Sequence, residues 1–275
     1  MATAAARYAA DPTAAPARRH LQRATRAWFC ATVLGQVLFI LFILLFFYPA
    51  TLSGNFAAWN SKPGITGYVA GDGIGNLTYA IHVLAAGVMT LSGLVQLLPQ
   101  VRARWPKLHR WSGRTFLLLA LGQSLGELWL VWGRGSYLTL TGAFAISLDA
   151  VLIIAFGLLA WRTARMRDFA AHRRWALRTF IVASGVWLMR VGYMAWAVLT
   201  GGTGISQGMS GPFDLFWAFA TYLLPLAVLE LYLKVEHGTP AAQRAMAGGL
   251  YASTLTIVGG SLGAWLLMWW PYIGV

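Results

Sequence analysis

The sequence predicts an all-α polytopic membrane bundle of seven transmembrane helices, with the N-terminus cytoplasmic and the C-terminus outside. Three observations predict it. Of the 275 residues, 58% are hydrophobic and only 11% charged, far from the composition of a soluble globular chain. Seven stretches stay apolar for about 20 residues, enough to cross a hydrocarbon core at ~1.5 Å per residue. The basic residues then fall on alternate connections, eighteen on one side against Lys62 and Arg134 on the other. That asymmetry places the N-terminal tail in the cytoplasm.

In chain order, residues 1–27 read as a disordered basic cytoplasmic tail, rich in Ala and Arg, with Asp11 as its one acid. The apolar run that follows is too long for the core of a signal peptide. It opens a single transmembrane domain, residues 28–275, whose first span is 28–49. Cys30 is the only cysteine, so the chain has no internal disulfide and no thiolate cluster. Residues 50–77 lead to the second span, 78–99. Gly54, Pro63, Gly64, Gly67, Gly71, Gly73 and Gly75 give that connection turn chemistry, as a plain connector or a lid. The other spans are 115–133, 142–161, 176–198, 213–234 and 249–270. All seven read as helices, because lipid cannot satisfy open backbone groups and no run alternates as a barrel strand does. The functional core is expected within 78–198.

The net charge of +13 is thus a membrane-orientation signal. A nucleic-acid partner would need a soluble basic face, and these basic residues are spread over loops between spans. The partner the composition does imply is the lipid bilayer, in a bacterial inner (plasma) membrane.

Two phrases repeat. "HRWSGRTF" begins at His109 and "HRRWALRTF" at His172, 63 residues later, and each opens a span running in the same direction. This has the form of a parallel internal repeat, a device that places binding sites at a repeat interface. Membrane-entry anchoring explains the Arg and Trp residues but leaves the paired His unexplained. One reading is axial ligation of a single haem b by His109 and His172. Trp111, Phe116, Trp175 and Phe180 would then wall the group, and Arg110, Arg114, Arg173, Arg174 and Arg178 would face its propionates. A second reading is a basic site for an anionic lipid phosphate or a quinone head group. A two-haem wire is excluded, since His82 has no partner His at its own depth.

The order of His82, "HRWSGR", "HRRWALR" and Arg190 resembles a family of bacterial predicted membrane proteins, domain of unknown function two-three-zero-six. The resemblance covers roughly residues 75–200 and implies architecture only.

A second polar layer lies in the outer leaflet. At ~1.5 Å per residue, Glu127 and Arg190 each sit ~18–20 Å above the cytoplasmic interface. Asp149 lies ~10 Å and His82 ~7 Å below the outer surface. Arg190 is the one Arg deep within a span, and a charge there costs at least ~2.5 kcal/mol unless it is paired or wet. The expected partner is Glu127 or Asp149. Gln123 offers a further hydrogen bond, and Gly122 and Gly126 let a second helix approach there. Such a set either fixes helix order or binds an anion, relays a proton or positions a head group.

No G-x-x-x-x-G-K-[ST], H-E-x-x-H or G-x-S-x-G motif is present, and no three closely spaced metal ligands are visible. The leading expectation is binding of a membrane-soluble or head-group-bearing ligand, redox-linked if haem b or quinone is involved. The alternatives are a small proton-coupled carrier using the His82, Glu127, Asp149 and Arg190 layer, or a non-catalytic scaffold subunit.

Overall fold

A computed structural model describes residues 14–62 and 66–273, which are helical with no strand among them. The helices are α1 (Ala14–Leu52), α2 (Gly73–Leu97), the short α3 (Pro99–Arg104), α4 (Pro106–Trp132), α5 (Leu140–Arg165), α6 (Phe169–Ala183), α7 (Gly185–Thr200), α8 (Pro212–Val235) and α9 (Pro240–Tyr272). Six are long and apolar enough to cross a membrane alone. The pair α6 and α7 passes together, bent by 53°, which makes seven. The chain is a multi-pass membrane protein.

Local chemistry sets the helix starts. Asp72, Thr139, Asp168 and Thr239 accept from the backbone N–H three residues on, at 2.8, 3.0, 2.9 and 3.3 Å. Pro99, Pro106, Pro212 and Pro240 open their helices, where a missing N–H costs nothing.

Two expectations change here. Residues 14–27 form the first turns of α1, with no break before the span; residues 1–13 lie outside the described residues. Ala17, Leu21 and Ala24 recur at helical spacing and are buried, Leu21 and Ala24 against Ala247 and Leu250 of α9, while Arg18, Arg19, Arg23 and Arg26 stay exposed. The fifth span is also broken. At Ser184 the chain leaves α6 and restarts as α7, so the segment is two half-length helices meeting at the Ser-Gly pair 184–185.

α2 packs against α4, α4 against α5, and α5 against α6, forming a core that α1, α8 and α9 flank. α1 lies along α9, and α9 meets α7 so closely that a Cβ on Gly260 would collide with the backbone of Val191. Both α1 and α9 widen to π turns, at Ile43–Phe47 and Ala264–Trp269, and Phe42 stacks on Trp269 between them at 5.5 Å.

The connection between α1 and α2 is a packed cap. Trp59 is 1% exposed under it. Arg134, just past α4, holds Asp72 at 2.7 Å and donates twice to Gly67 O at 3.2 Å, while Asn60 Oδ1 accepts from Gly67 and Tyr68 N–H. We call this the cap end of the bundle, and the opposite one the His-Arg end.

Candidate functional site

The four residues expected in a polar layer nearer the cap end come from four helices, and two of them meet. His82 of α2 and Glu127 of α4 face each other, Nε2 to Oε2 3.3 Å, with both side chains roughly three-quarters buried. Gln123, one turn before Glu127, donates to the His82 carbonyl at 2.8 Å and locks the two helices in that register. A Cβ on Gly126 would meet only Thr78 there, at 3.7 Å, and one on Gly122 would meet nothing within 4 Å.

Arg190 has a different environment from the one its depth suggests. No carboxylate of a described residue lies within 4.0 Å of it. Its Nη1 donates to Val186 O one turn back at 2.7 Å, and the guanidinium lies 5.5 Å over the Phe39 ring. It lies near Glu127 and Tyr79, but Glu127 already faces His82. Shared depth fixes a level along the bundle axis; the direction each side chain faces around its helix decides contact.

Asp149 goes elsewhere too. Its carboxylate lies against the start of α7, where a Cβ on Gly185 would sit 2.9 Å from Oδ2, and its buried Oδ1 has no partner among the described residues. The first N–H groups of a helix are unpaired and carry positive partial charge, so this is a favourable place for a carboxylate. The break is polar on its other sides. Gln36 of α1 donates to Ser184 Oγ at 3.0 Å, and Thr221 of α8 donates to Gly185 O at 3.0 Å. Beside it lies a cavity of about 10 Å³ lined by Gln36, Thr90, Ser184, Trp187, Phe116 and Phe180. That is room for about one water.

Sequence reading missed Lys62. It reaches from the cap to place Nζ 5.5 Å from the Tyr272 ring centroid. Burial, and secondarily the charge of Arg190, push its ammonium down from 10.5 to about 8. A loop Lys carries no periodicity that could have marked it.

At the His-Arg end, the repeated phrases do converge. Phe116 and Phe180, the last residues of the two phrases, close on the same point of α2: a Cβ on Gly93 would meet them at 3.0 and 3.5 Å. His172 Nδ1 lies 2.9 Å from the Ala160 carbonyl, which only accepts, so Nδ1 carries a proton and donates there. His109 is near enough to interact electrostatically with His172, and its buried Nδ1 has no partner among the described residues. Gln96 pins the His109 carbonyl at 2.8 Å.

The basic residues around them divide. Arg173 grips Glu236 through two bonds of 2.9 and 3.0 Å, and Arg178 grips Glu230 through two of 2.6 and 2.8 Å while stacking on Trp175. These carboxylates occupy the guanidinium faces that a phosphate or propionate would need. Arg114 lies over Trp111, which is 65% exposed, and Arg110 is exposed, the arrangement of interfacial anchors. Two turns deeper than the histidines, Phe116 and Phe180 both pack against Gly93 of α2, and the cavity beside them is about 10 Å³.

No curated protein and no solved structure matches the chain. Residues 79–209, which run from the first turns of α2 past the end of α7 and so hold His82, Glu127, Asp149, Arg190 and both His-Arg phrases, match the family described as predicted membrane protein (DUF2306).

Proposed function

We propose that this chain is a binding protein of the bacterial inner membrane, and that its core receives the polar head of a membrane-soluble or head-group-bearing ligand at Arg190. With eighteen basic residues assigned to the cytoplasmic side, the cap end faces outward and Arg190 lies in the outer leaflet. The observation that carries the reading is the state of Arg190. Every other guanidinium lodged in the bundle's polar contacts is matched to a carboxylate, whereas Arg190 donates to one backbone carbonyl and has no carboxylate within 4.0 Å among the described residues. A cation in a span without a partner calls for a ligand or water.

Mass spectrometry of small molecules that co-purify with the detergent-solubilised protein tests this. The parent should carry one species near stoichiometry. Arg190→Leu should lose it, while Arg173→Gln, at the far end of the bundle, should retain it. If Arg190→Leu carries the same species as the parent, the reading fails. If neither carries any and both melt alike, a scaffold role is the better account.

The carrier reading has its own support in the Asp149 oxygen left without a partner at the α6–α7 break. A protonatable group at a discontinuous helix is the usual equipment of proton-coupled transport. Proteoliposomes that acidify only when the parent, and not Asp149→Asn, is present would favour it.

A further inference from the structure

We propose that the elbow between α3 and α4 binds an anionic phospholipid of the surrounding leaflet, with Arg104 and Lys107 on its phosphate and its chains along α4. This goes beyond the reading above and does not depend on it, because the elbow is at the His-Arg end and Arg190 lies toward the cap.

The sequence makes the elbow. Pro106 pushes Trp105 out of the helical region, to φ −128° and ψ 64°, so α3 stops there and α4 starts anew. Val101, buried, holds α3 to the bundle. Arg104, Trp105, Pro106, Lys107 and Leu108 then line one open recess of about 590 Å³, within the ~300–1,000 Å³ of ordinary ligand sites. Its walls are almost wholly apolar, as they are where basic side chains lend their stems and keep their charges at the rim. The recess opens onto the lipid-facing side of α4. Trp111, Leu118, Leu125 and Trp132 recur every seven residues and are each at least half exposed, the stripe a spanning helix turns to hydrocarbon. Lys107, four residues before Trp111, and Arg114, three after it, are exposed on the same stripe, and the Arg114 guanidinium stands 5.0 Å over the Trp111 ring.

No carboxylate of a described residue lies within 4.0 Å of Arg104, Lys107 or Arg114. Among the described residues, the acids toward this end are engaged elsewhere: Glu230 by Arg178, Glu236 by Arg173, and Asp168 by the Ala171 N–H. An apolar stripe that ends in indoles and cations matches a phospholipid part by part. The chains run along Leu118 and Leu125, the glycerol region enters the recess, and the phosphate meets Arg104 and Lys107 at its rim. Interfacial anchoring accounts for the charges and the rings, but it needs no recess between them. A soluble anion would find the charges and have no use for the stripe. A zwitterionic lipid brings its own ammonium, so the surplus of positive charge selects an anionic one.

The full chain in phosphatidylcholine nanodiscs carrying rising fractions of phosphatidylglycerol tests this, with melting temperature followed at fixed ionic strength. The parent should gain stability and saturate. Arg104→Gln with Lys107→Gln should raise the half-saturating fraction roughly fivefold or more. Arg162→Gln with Arg165→Gln removes the same charge from the last turn of α5 and should leave that fraction as in the parent. Leu108→Trp keeps every charge but fills the recess, so it should weaken the response as well. Each shift is taken from the variant's own melting temperature in phosphatidylcholine alone, so a loss of stability is not read as a loss of binding. A parent indifferent to phosphatidylglycerol would overturn the site. Equal losses in the two double variants, or a Leu108→Trp response like that of the parent, would also overturn it, leaving only the general attraction of a basic end to an anionic surface. Equal stabilisation by inorganic phosphate in phosphatidylcholine nanodiscs would make the occupant a soluble anion, and the proposal would fall.

Discussion

His82 Nε2 and Glu127 Oε2 are 3.3 Å apart across the α2–α4 interface, inside the stretch that matches the family. The contact joins two ionisable groups that the chain places within spans, and Gln123 braces it from the same face of α4.

That brace should be measurable. Gln123→Ala removes a half-buried hydrogen bond to a backbone carbonyl and should lower stability by ~1 kcal/mol. Glu127→Gln should cost ~1–2 kcal/mol, since a neutral amide can still meet the imidazole. Thermal melts in detergent check both, and a Glu127→Gln melt equal to that of the parent would show the contact to be energetically idle.

The Arg178–Glu230 fork predicts rescue. Arg178→Gln should destabilise by ~1–3 kcal/mol, a value kept modest because Glu230 is partly exposed. Adding Glu230→Gln should recover much of that loss, because no carboxylate is then left without its cation. A double mutant no more stable than the single one would contradict the pairing.

Lys62 predicts a pH dependence with a defined sign. Its folded-state value of about 8 lies below the ordinary 10.5, so between them the unfolded chain holds a proton that the folded chain has released. Stability should rise with pH through that window, and the Lys62→Met melting curve should be flatter there. A parent curve as flat as that of the variant would show that Lys62 is neither buried nor close to Arg190.

Gly260 and Gly248 form a matched pair of controls. A Cβ at 260 would strike the Val191 backbone, whereas at 248 it would meet nothing within 4 Å. Gly260→Ala should cost ~1–3 kcal/mol by overpacking, and Gly248→Ala should be neutral. Equal melting temperatures for the two would place α9 farther from α7.

Orientation is tested with a reporter active only outside the cytoplasm. Fused after Val275 it should be active, and fused after Gly238 it should be silent, because of the basic-residue asymmetry. The reversed result would put the Arg190 layer in the inner leaflet.

The spans could be read from the chain because ~20 apolar residues have few other uses, and each predicted span coincides with helix. The N-terminal extension of α1 was harder to see. Its buried stripe of Ala17, Leu21 and Ala24 is made mostly of small residues, amid arginines that look like a solvated tail. The break in the fifth span had only a Ser-Gly pair to announce it, in a run apolar enough to pass as one span. Depth counting did bring His82 and Glu127 to one level, and they touch. It failed for Arg190, because residues at equal height can still face different neighbours. Lys62 was invisible for a related reason: its position depends on the bonds of Arg134 and Asn60 that pull the cap down, and those partners lie outside any local pattern.

The partnership of α1 with α9 also bears on biosynthesis. The two helices lie together along their length, yet α1 leaves the ribosome well before α9. During insertion, the face of α1 bearing Leu21 and Trp28, with Trp28 bonded to Ser253 in the finished protein, lacks its α9 partners until all the spans between have been made. Such distant pairings close late and slowly. α1 must therefore wait in the bilayer, covered by lipid or a chaperone, while the six spans after it are threaded, and a ribosome stalled before α9 would leave a product that its quality-control proteases can grip.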